Sequence, residues 1–266
     1  SRDYPENEAR AQAEYLLAEL SLELGNASSD TAIAKAHHAE ALQGFSNLVS
    51  SFPDSEYAPK SQFNKALMLE KIGQIDQACE EYVKLSYKYP GNPLVADTIA
   101  RLGKYFITKC KELKDQLAVE EDAVKRKQLA WKLDESYITA AEVYGRLSER
   151  FPKHRLASKT LLLSGKAYLK VKDFKRSKKQ FMAVINGDRS EKNLVAEAMY
   201  WCGLMYAKQA EEEILKKRPA TTMLDAFRIW KRLNWNYPET KWAKYARGKL
   251  GDDAFISAVQ ELQEDK

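Results

Sequence analysis

Histidine, cysteine, paired carboxylates and clustered lysines are the side chains whose chemistry must be weighed first. His37 and His38 are adjacent in a helical pattern, so they point to different sides and cannot form an i, i+4 metal pair. His154 follows Pro152 in a link, where solvation is its simplest state. Cys79, Cys110 and Cys202 are odd in number and contain no CxxC pair, which argues against a disulfide framework and a zinc site. Each falls in a helical pattern and reads as a small apolar residue. Glu80-Glu81 and Glu120-Glu121 are adjacent rather than face-sharing, and read as solvated helix surface. No GxSxG, P-loop, HExxH or GxGxxG segment is present. The expectation is a non-enzyme with no catalytic residue, no metal and no cofactor.

The densest charge cluster is Lys170, Lys172, Lys175, Arg176, Lys178 and Lys179. An acidic partner could use it. Interruption by Asp173 and an apolar Phe174 favours an exposed helix–turn–helix corner instead. Overall, 43 basic and 38 acidic residues give a net charge of +5, too mild and too dispersed for a nucleic-acid binder. No apolar run approaches the roughly 20 residues of a membrane span. The chain opens Ser1-Arg2-Asp3-Tyr4-Pro5 without Met, so a processed form or a piece of a longer protein is expected.

The elements that would position these groups are helices. Of 266 residues only 11 are Gly and 8 Pro, and 44% are hydrophobic. An aromatic-Pro pair recurs at Phe52-Pro53, Tyr89-Pro90, Phe151-Pro152 and Tyr237-Pro238. Five residues after each Pro stands Ala58, Val95, Ala157 or Ala243. Before the four pairs lie Ala41, Phe45 and Leu48; Ala78, Tyr82 and Leu85; Ala140, Tyr144 and Leu147; and Ala226, Trp230 and Leu233. Small, aromatic and aliphatic residues at spacings of four and three make one helix face. A preceding helix carries Ala66 and Leu69, Gly103 and Phe106, Gly165 and Tyr168, or Gly203 and Tyr206. Interior helix glycines cost up to about 1 kcal/mol, so repeated ones argue for close helix contact. Gly73 is suited to a left-handed helix cap.

Two helices per unit with this order of small and aromatic residues and a closing Pro resemble the tetratricopeptide repeat. Ala58 to Pro90 is nearly a full match, through Ala66, Leu69, Gly73, Ala78, Tyr82 and Leu85. It departs where Gln62 and Lys65 replace the usual early Trp and Leu. Ser158 to Arg189 matches next best but closes with Ile185-Asn186-Gly187-Asp188 instead of Pro. The period, Pro53 to Pro90, is 37 residues. This longer link resembles bacterial cell-envelope repeat proteins of the Tol–Pal-associated periplasmic and outer-membrane assembly lipoprotein types. The resemblance implies a periplasmic or envelope location.

The expected fold is an all-α, right-handed α-solenoid of about five hairpins plus a C-terminal capping helix, in a single domain over 1–266. The hairpins fall near 6–52, 56–89, 93–151, 155–187 and 192–237, with the cap at 239–263. In the first, the leading helix centres on Ala13, Leu16, Leu17 and Leu20, and Asp30 or Thr31 starts the second helix. An insertion near 111–135 elongates the third hairpin by roughly 18 Å at 1.5 Å per residue, with Leu113, Leu117, Val124, Leu129 and Trp131 sealing it. Thr221 or Thr222 is expected to cap the last hairpin's second helix.

The resemblance implies that first helices line a concave groove. By offset its lining includes Lys60, Phe63, Leu67, Lys71 and Lys104, then Lys159, Leu162, Lys166 and Lys170, then Tyr200, Leu204 and Lys208. Phe63 and Leu67 replace two members of the Lys/Asn clamp found in chaperone-tail-binding relatives. A lysine-lined groove with apolar patches suits an extended protein or peptide partner bearing carboxylates. The alternatives are a structural or self-assembly module, suggested by Trp230, Trp235 and Trp242, or the binding arm of a larger protein.

Overall fold

The computed structural model describes residues 3–252, 255–257 and 259–260. Among them there is no strand, and the helices are α1 Asp3–Ala27, α2 Thr31–Ser51, α3 Ala58–Lys71, α4 Ile75–Lys88, α5 Leu94–Val119, α6 Ala123–Arg150, α7 Ala157–Lys170, α8 Phe174–Ile185, α9 Lys192–Leu215, α10 Thr222–Asn236 and α11 Lys241–Leu250, with further helix at 255–257 and 259–260. Part of the expected cap beyond α11 lies outside the described residues. Two compact units form, one over 1–105 and the other over 106–266. In the first, α1 packs on α2, α2 on α3 and α3 on α4. In the second, α6 to α10 each pack on the next helix, α11 rests on α9 and α10, and α7 touches α9.

The aromatic-Pro pairs are the hinges between hairpins. Phe52, Tyr89, Phe151 and Tyr237 each end a helix with the N–H donating to the carbonyl of Leu48, Leu85, Leu147 or Leu233. Their φ/ψ pairs nearly coincide, with φ from −124 to −138 and ψ from 50 to 62. Proline disfavours helical geometry in the residue before it, so the helix stops there. Three residues on, Ser55, Asn92, His154 and Thr240 donate their N–H back to the aromatic carbonyl, closing the same turn four times. The triads predicted before each Pro are buried throughout. Each such aliphatic or aromatic side chain contributes about 1.5–3 kcal/mol of burial.

Glycine and capping expectations meet specific geometry. Gly73 adopts φ +83 between α3 and α4, and Lys172 takes the same left-handed conformation at the matching turn, φ 57. Asp30 caps α2, its carboxylate accepting from the Ala32 and Ile33 N–H groups. Thr221 makes no capping bond; Thr222 instead donates its hydroxyl to Glu213.

The elongated third hairpin turns at Glu120–Asp122, where Asp122 caps α6. Cys110 and Leu113 pack on Leu133, Tyr137, Ala167 and Tyr168, with Leu117 and Leu129 against them. Val124 and Trp131 do not seal it; both point to solvent. In α1 the core is Tyr15 and Ala18, packed on Ala41 and Phe45. Leu16, Leu17 and Leu20 are exposed, as is Ala13. The cause is close helix approach: a Cβ on Gly44 would lie 2.8 Å from the Ala18 Cβ, so the contact uses small residues and turns the leucines outward.

Candidate functional site

The lysine face of the second unit is built on α7 and α9, whose repeat spacing puts Lys166 and Lys170 on one helix and Tyr200, Leu204 and Lys208 at i, i+4, i+8 on the other. Small residues at Gly165 and Gly203 permit this. A Cβ on Gly165 would lie 2.7 Å from Phe181, and one on Gly203 would collide with the Trp230 indole. The partner helices therefore hold α7 and α9 in fixed rotation.

At one end of this face Lys170 is gathered with Lys114 and Lys208. All three are exposed, and none forms an ion pair among the described residues. Partial desolvation, followed by the charges of Lys114 and Lys208, lowers the Lys170 pKa from the usual lysine value. Three unneutralised ammonium groups from α5, α7 and α9 thus create a positive field that an anion would relieve. Lys114 was not legible as a member, because it lies within the insertion rather than the repeat.

At the other end the face is aromatic. Tyr200 stands amid Trp242 at 5.5 Å, Tyr245 at 5.9 Å, Trp201 at 6.1 Å and Trp230 at 6.5 Å, centroid to centroid. Lys166 sits over Trp201 and Trp242, 4.8 and 5.9 Å from the ring centroids, and pairs with Glu197. Such cation–ring contacts contribute about 0.5–1 kcal/mol at exposed sites. The Trp201 indole nitrogen is buried and has no hydrogen-bond partner. Leu204 is half-buried against the core. Leu162, expected on the groove, is only 3% exposed and belongs to the core, so it presents nothing to a ligand. Its place on the repeat face is turned inward by packing with Phe181 and Met199 in the same cluster. Lys159 is exposed.

In the first unit the residues are spread differently. Lys60 lies near the Tyr15 and Tyr57 rings, at 5.9 and 5.8 Å. Phe63 is half-buried against Tyr82 and under Arg101. Leu67 is half-buried and Lys104 exposed. Lys71 is engaged by the Asn26 side chain and lies 3.4 Å from His38 Nε2. His38 is held below the usual histidine pKa by burial, then by the charges of Lys71 and His37. Among the described residues, no group of three His, Cys, Asp or Glu is placed to hold a metal ion.

The basic corner around α8 is largely spoken for. Lys172 pairs with Glu212, Arg176 pairs with Asp173 and Glu142 and stacks on Tyr168, and Lys178 lies over the Tyr206 ring. Glu81 overturns the expectation of a solvated surface carboxylate: it is 6% exposed and contacts Gln62, Lys65 and Lys84. The signal in the sequence was the pair of polar residues at two places where the repeat carries Trp and Leu.

Among the described residues no helix is long and apolar enough to cross a membrane. A tetratricopeptide-repeat model matches residues 60–92, which cover most of α3, its turn and α4. The outer membrane lipoprotein model YfiO matches residues 126–262, over half of the chain. No curated protein matches it. The chain, an all-α protein with tetratricopeptide repeats, therefore belongs to the YfiO outer membrane lipoprotein family.

Proposed function

We propose that this protein is a non-catalytic scaffold of a bacterial envelope complex, located in the periplasm, that binds an extended acidic segment of a protein partner on the lysine face of α7 and α9. The carrying observation is the convergence of Lys114, Lys170 and Lys208 from three helices, none of them ion-paired among the described residues. The neighbouring aromatic group gives the same face an apolar end. Tyr200 to Lys208 spans roughly 12 Å of helix, about the length of four extended peptide residues. A carboxylate at the lysine end and an apolar side chain at the Tyr200–Trp242 end would fit this arrangement. Lys60, Phe63, Leu67, Lys71 and Lys104 belong to the corresponding face of the first unit, and we assign them a supporting role in partner contact. The mild net charge of +5 and the aromatic, apolar end of the lysine face favour protein over nucleic acid as the partner.

Fluorescence anisotropy with a labelled peptide alternating Glu and Phe tests this reading. Binding should weaken steeply with salt and fall about tenfold or more when Lys170 and Lys208 are both changed to Glu. Binding unchanged by those substitutions would remove the proposal.

A second reading, self-assembly, is favoured by the exposed stripe Leu16, Leu20 and Leu24 on α1. Light scattering separates the two: a strict monomer at high concentration removes self-assembly and leaves the scaffold.

A further inference from the structure

The two places where the best-matched repeat departs from its pattern meet in space. Gln62 and Lys65 of α3 both reach Glu81 of α4. The Gln62 side-chain amide donates to the Glu81 carboxylate, Lys65 Nζ lies 3.3 Å from it and Lys84 Nζ 2.8 Å. Gln62 is 2% exposed. The same two positions in α5, α7 and α9 are Ile99 and Leu102, Leu161 and Ser164, and Met199 and Cys202. The positions matching Glu81 in α2, α6, α8 and α10 are Gly44, Val143, Gln180 and Ile229. Among these hairpins, this one places a polar trio with two charged members, Lys65 and Glu81, where the others have no charge.

Stability is a weak reason for such a trio. Burying a charge costs several kcal/mol, and a well-packed apolar set of similar volume often serves stability equally well or better. The sister hairpins carry uncharged residues at these positions, wholly apolar ones at Met199, Cys202 and Ile229. The polar trio lines an open space. A cleft of about 630 Å³ opens between α2, α3 and α4, a volume within the usual range for ligand sites. Val49 and Pro53 form an apolar wall, and Lys65, Lys84, Lys88 and the exposed Tyr87 surround the floor at Glu81. Two ammonium groups, of Lys65 and Lys84, face one carboxylate, and Lys88 adds a third positive charge at the rim. Lys65 and Lys84 each direct a contact to Glu81 and keep further N–H donors for an incoming group.

We propose that this cleft is a second binding site, for a carboxylate of a peptide partner whose adjoining aliphatic or aromatic group lies on Val49 and Pro53. Glu81 holds Lys65 and Lys84 at a fixed spacing, so the lysines are ordered before the ligand arrives. The excess positive charge selects an anion and disfavours a metal ion. The apolar wall selects a carboxylate borne on a hydrophobic segment over a bare oxyanion. The site shares no residue with the α7 and α9 face, and it stands whether or not that face binds.

The test is an amide NMR titration of the full chain with acetyl-Leu-Glu-Glu-amide, with acetyl-Leu-Gln-Gln-amide and inorganic phosphate as separate arms. The acidic peptide should shift the amides of Val49, Lys65, Lys84 and Tyr87 in a saturable way. The Gln peptide should not, and phosphate should compete only weakly. Lys84→Ala with Lys88→Ala, both at exposed positions, should weaken the shifts about tenfold while leaving the amide spectrum otherwise folded. Lys65→Leu, which restores an apolar residue, should also abolish them. No saturable shift at millimolar acidic peptide, equal shifts with the Gln peptide, phosphate binding as tightly as the peptide, or shifts confined to Lys170 and Lys208 would each overturn the site. The last result would leave the α7 and α9 face intact as a reading while removing the cleft.

Discussion

The Trp230 indole occupies the space that a side chain at Gly203 would need, and its Nε1–H donates to the Tyr200 carbonyl at 3.1 Å. One aromatic residue of α10 thereby fixes both the closeness and the rotation of α9. Gly203→Ala should therefore destabilise the protein although alanine is the better helix former. Overpacking of a filled contact costs typically about 1–3 kcal/mol. Gly165→Ala, facing Phe181, should behave alike. Gly248→Ala is the control, because a Cβ there meets nothing within 4 Å; it should gain up to about 1 kcal/mol. Urea unfolding midpoints at constant slope measure all three.

The last link depends on Thr240. Its hydroxyl oxygen accepts from the Ala243 N–H at 3.2 Å and its hydroxyl donates to the Tyr237 carbonyl at 2.9 Å. Thr240→Ala should cost about 1 kcal/mol. The loss should appear as faster hydrogen exchange in α11 before any change in α7 or α8. Uniform exchange across these helices would show that the cap is not acting locally.

The buried thiols and phenols predict an alkaline weakness. Burial pushes the Cys110 thiol up from 9.0 to about 11 and the Cys202 thiol to about 12. It pushes the Tyr144 phenol from 10.0 to about 12. Each is protonated more readily in the folded state than in the unfolded state. The stability this supports is fully present below pH 9 and is lost progressively as pH rises through 9 towards 11 and 12. Melting temperature followed against pH should fall across that window. In the native protein an alkylating reagent near neutral pH should modify half-buried Cys79 first, with Cys110 and Cys202 reacting only on unfolding.

Acid should act at one place in the first unit. His38 has a depressed pKa, so the stability from keeping it neutral is present above its ordinary value of 6.5 and is lost as pH falls through its lowered one. Lys71→Gln removes one of the charges that depresses it. The His38 ring, followed by NMR, should then titrate at higher pH than in the native chain. An unmoved titration would show that burial alone sets it.

The hinges were legible because they rest on local chemistry. Proline acts on the residue before it, so Phe52, Tyr89, Phe151 and Tyr237 end helices whatever surrounds them. The triads ending at Leu48, Leu85, Leu147 and Leu233 were legible because a fixed helical spacing places them on one face. Helix rotation was less so wherever small residues set the contact. Leu16 and Leu20 are more hydrophobic than Ala18, yet Ala18 against Gly44 decides which face of α1 is buried. Val124 and Trp131 lie in an insertion with no repeat to set their phase. At the candidate sites, Lys170 and Lys208 followed from offset, whereas Lys114 and Glu81 depend on which helices meet, which spacing along one chain does not reveal.

The proposed acidic-partner site lies on the lysines gathered between α7 and α9, not on the equally dense lysines of α8. The direct measurement compares two double charge reversals in binding to one labelled acidic peptide. Lys170→Glu with Lys208→Glu should lower affinity about tenfold or more. Lys175→Glu with Lys179→Glu, the same change in net charge at exposed positions of α8, should leave it nearly unchanged. Equal losses in the two variants would mean that only overall charge attracts the peptide, and would contradict a site on α7 and α9.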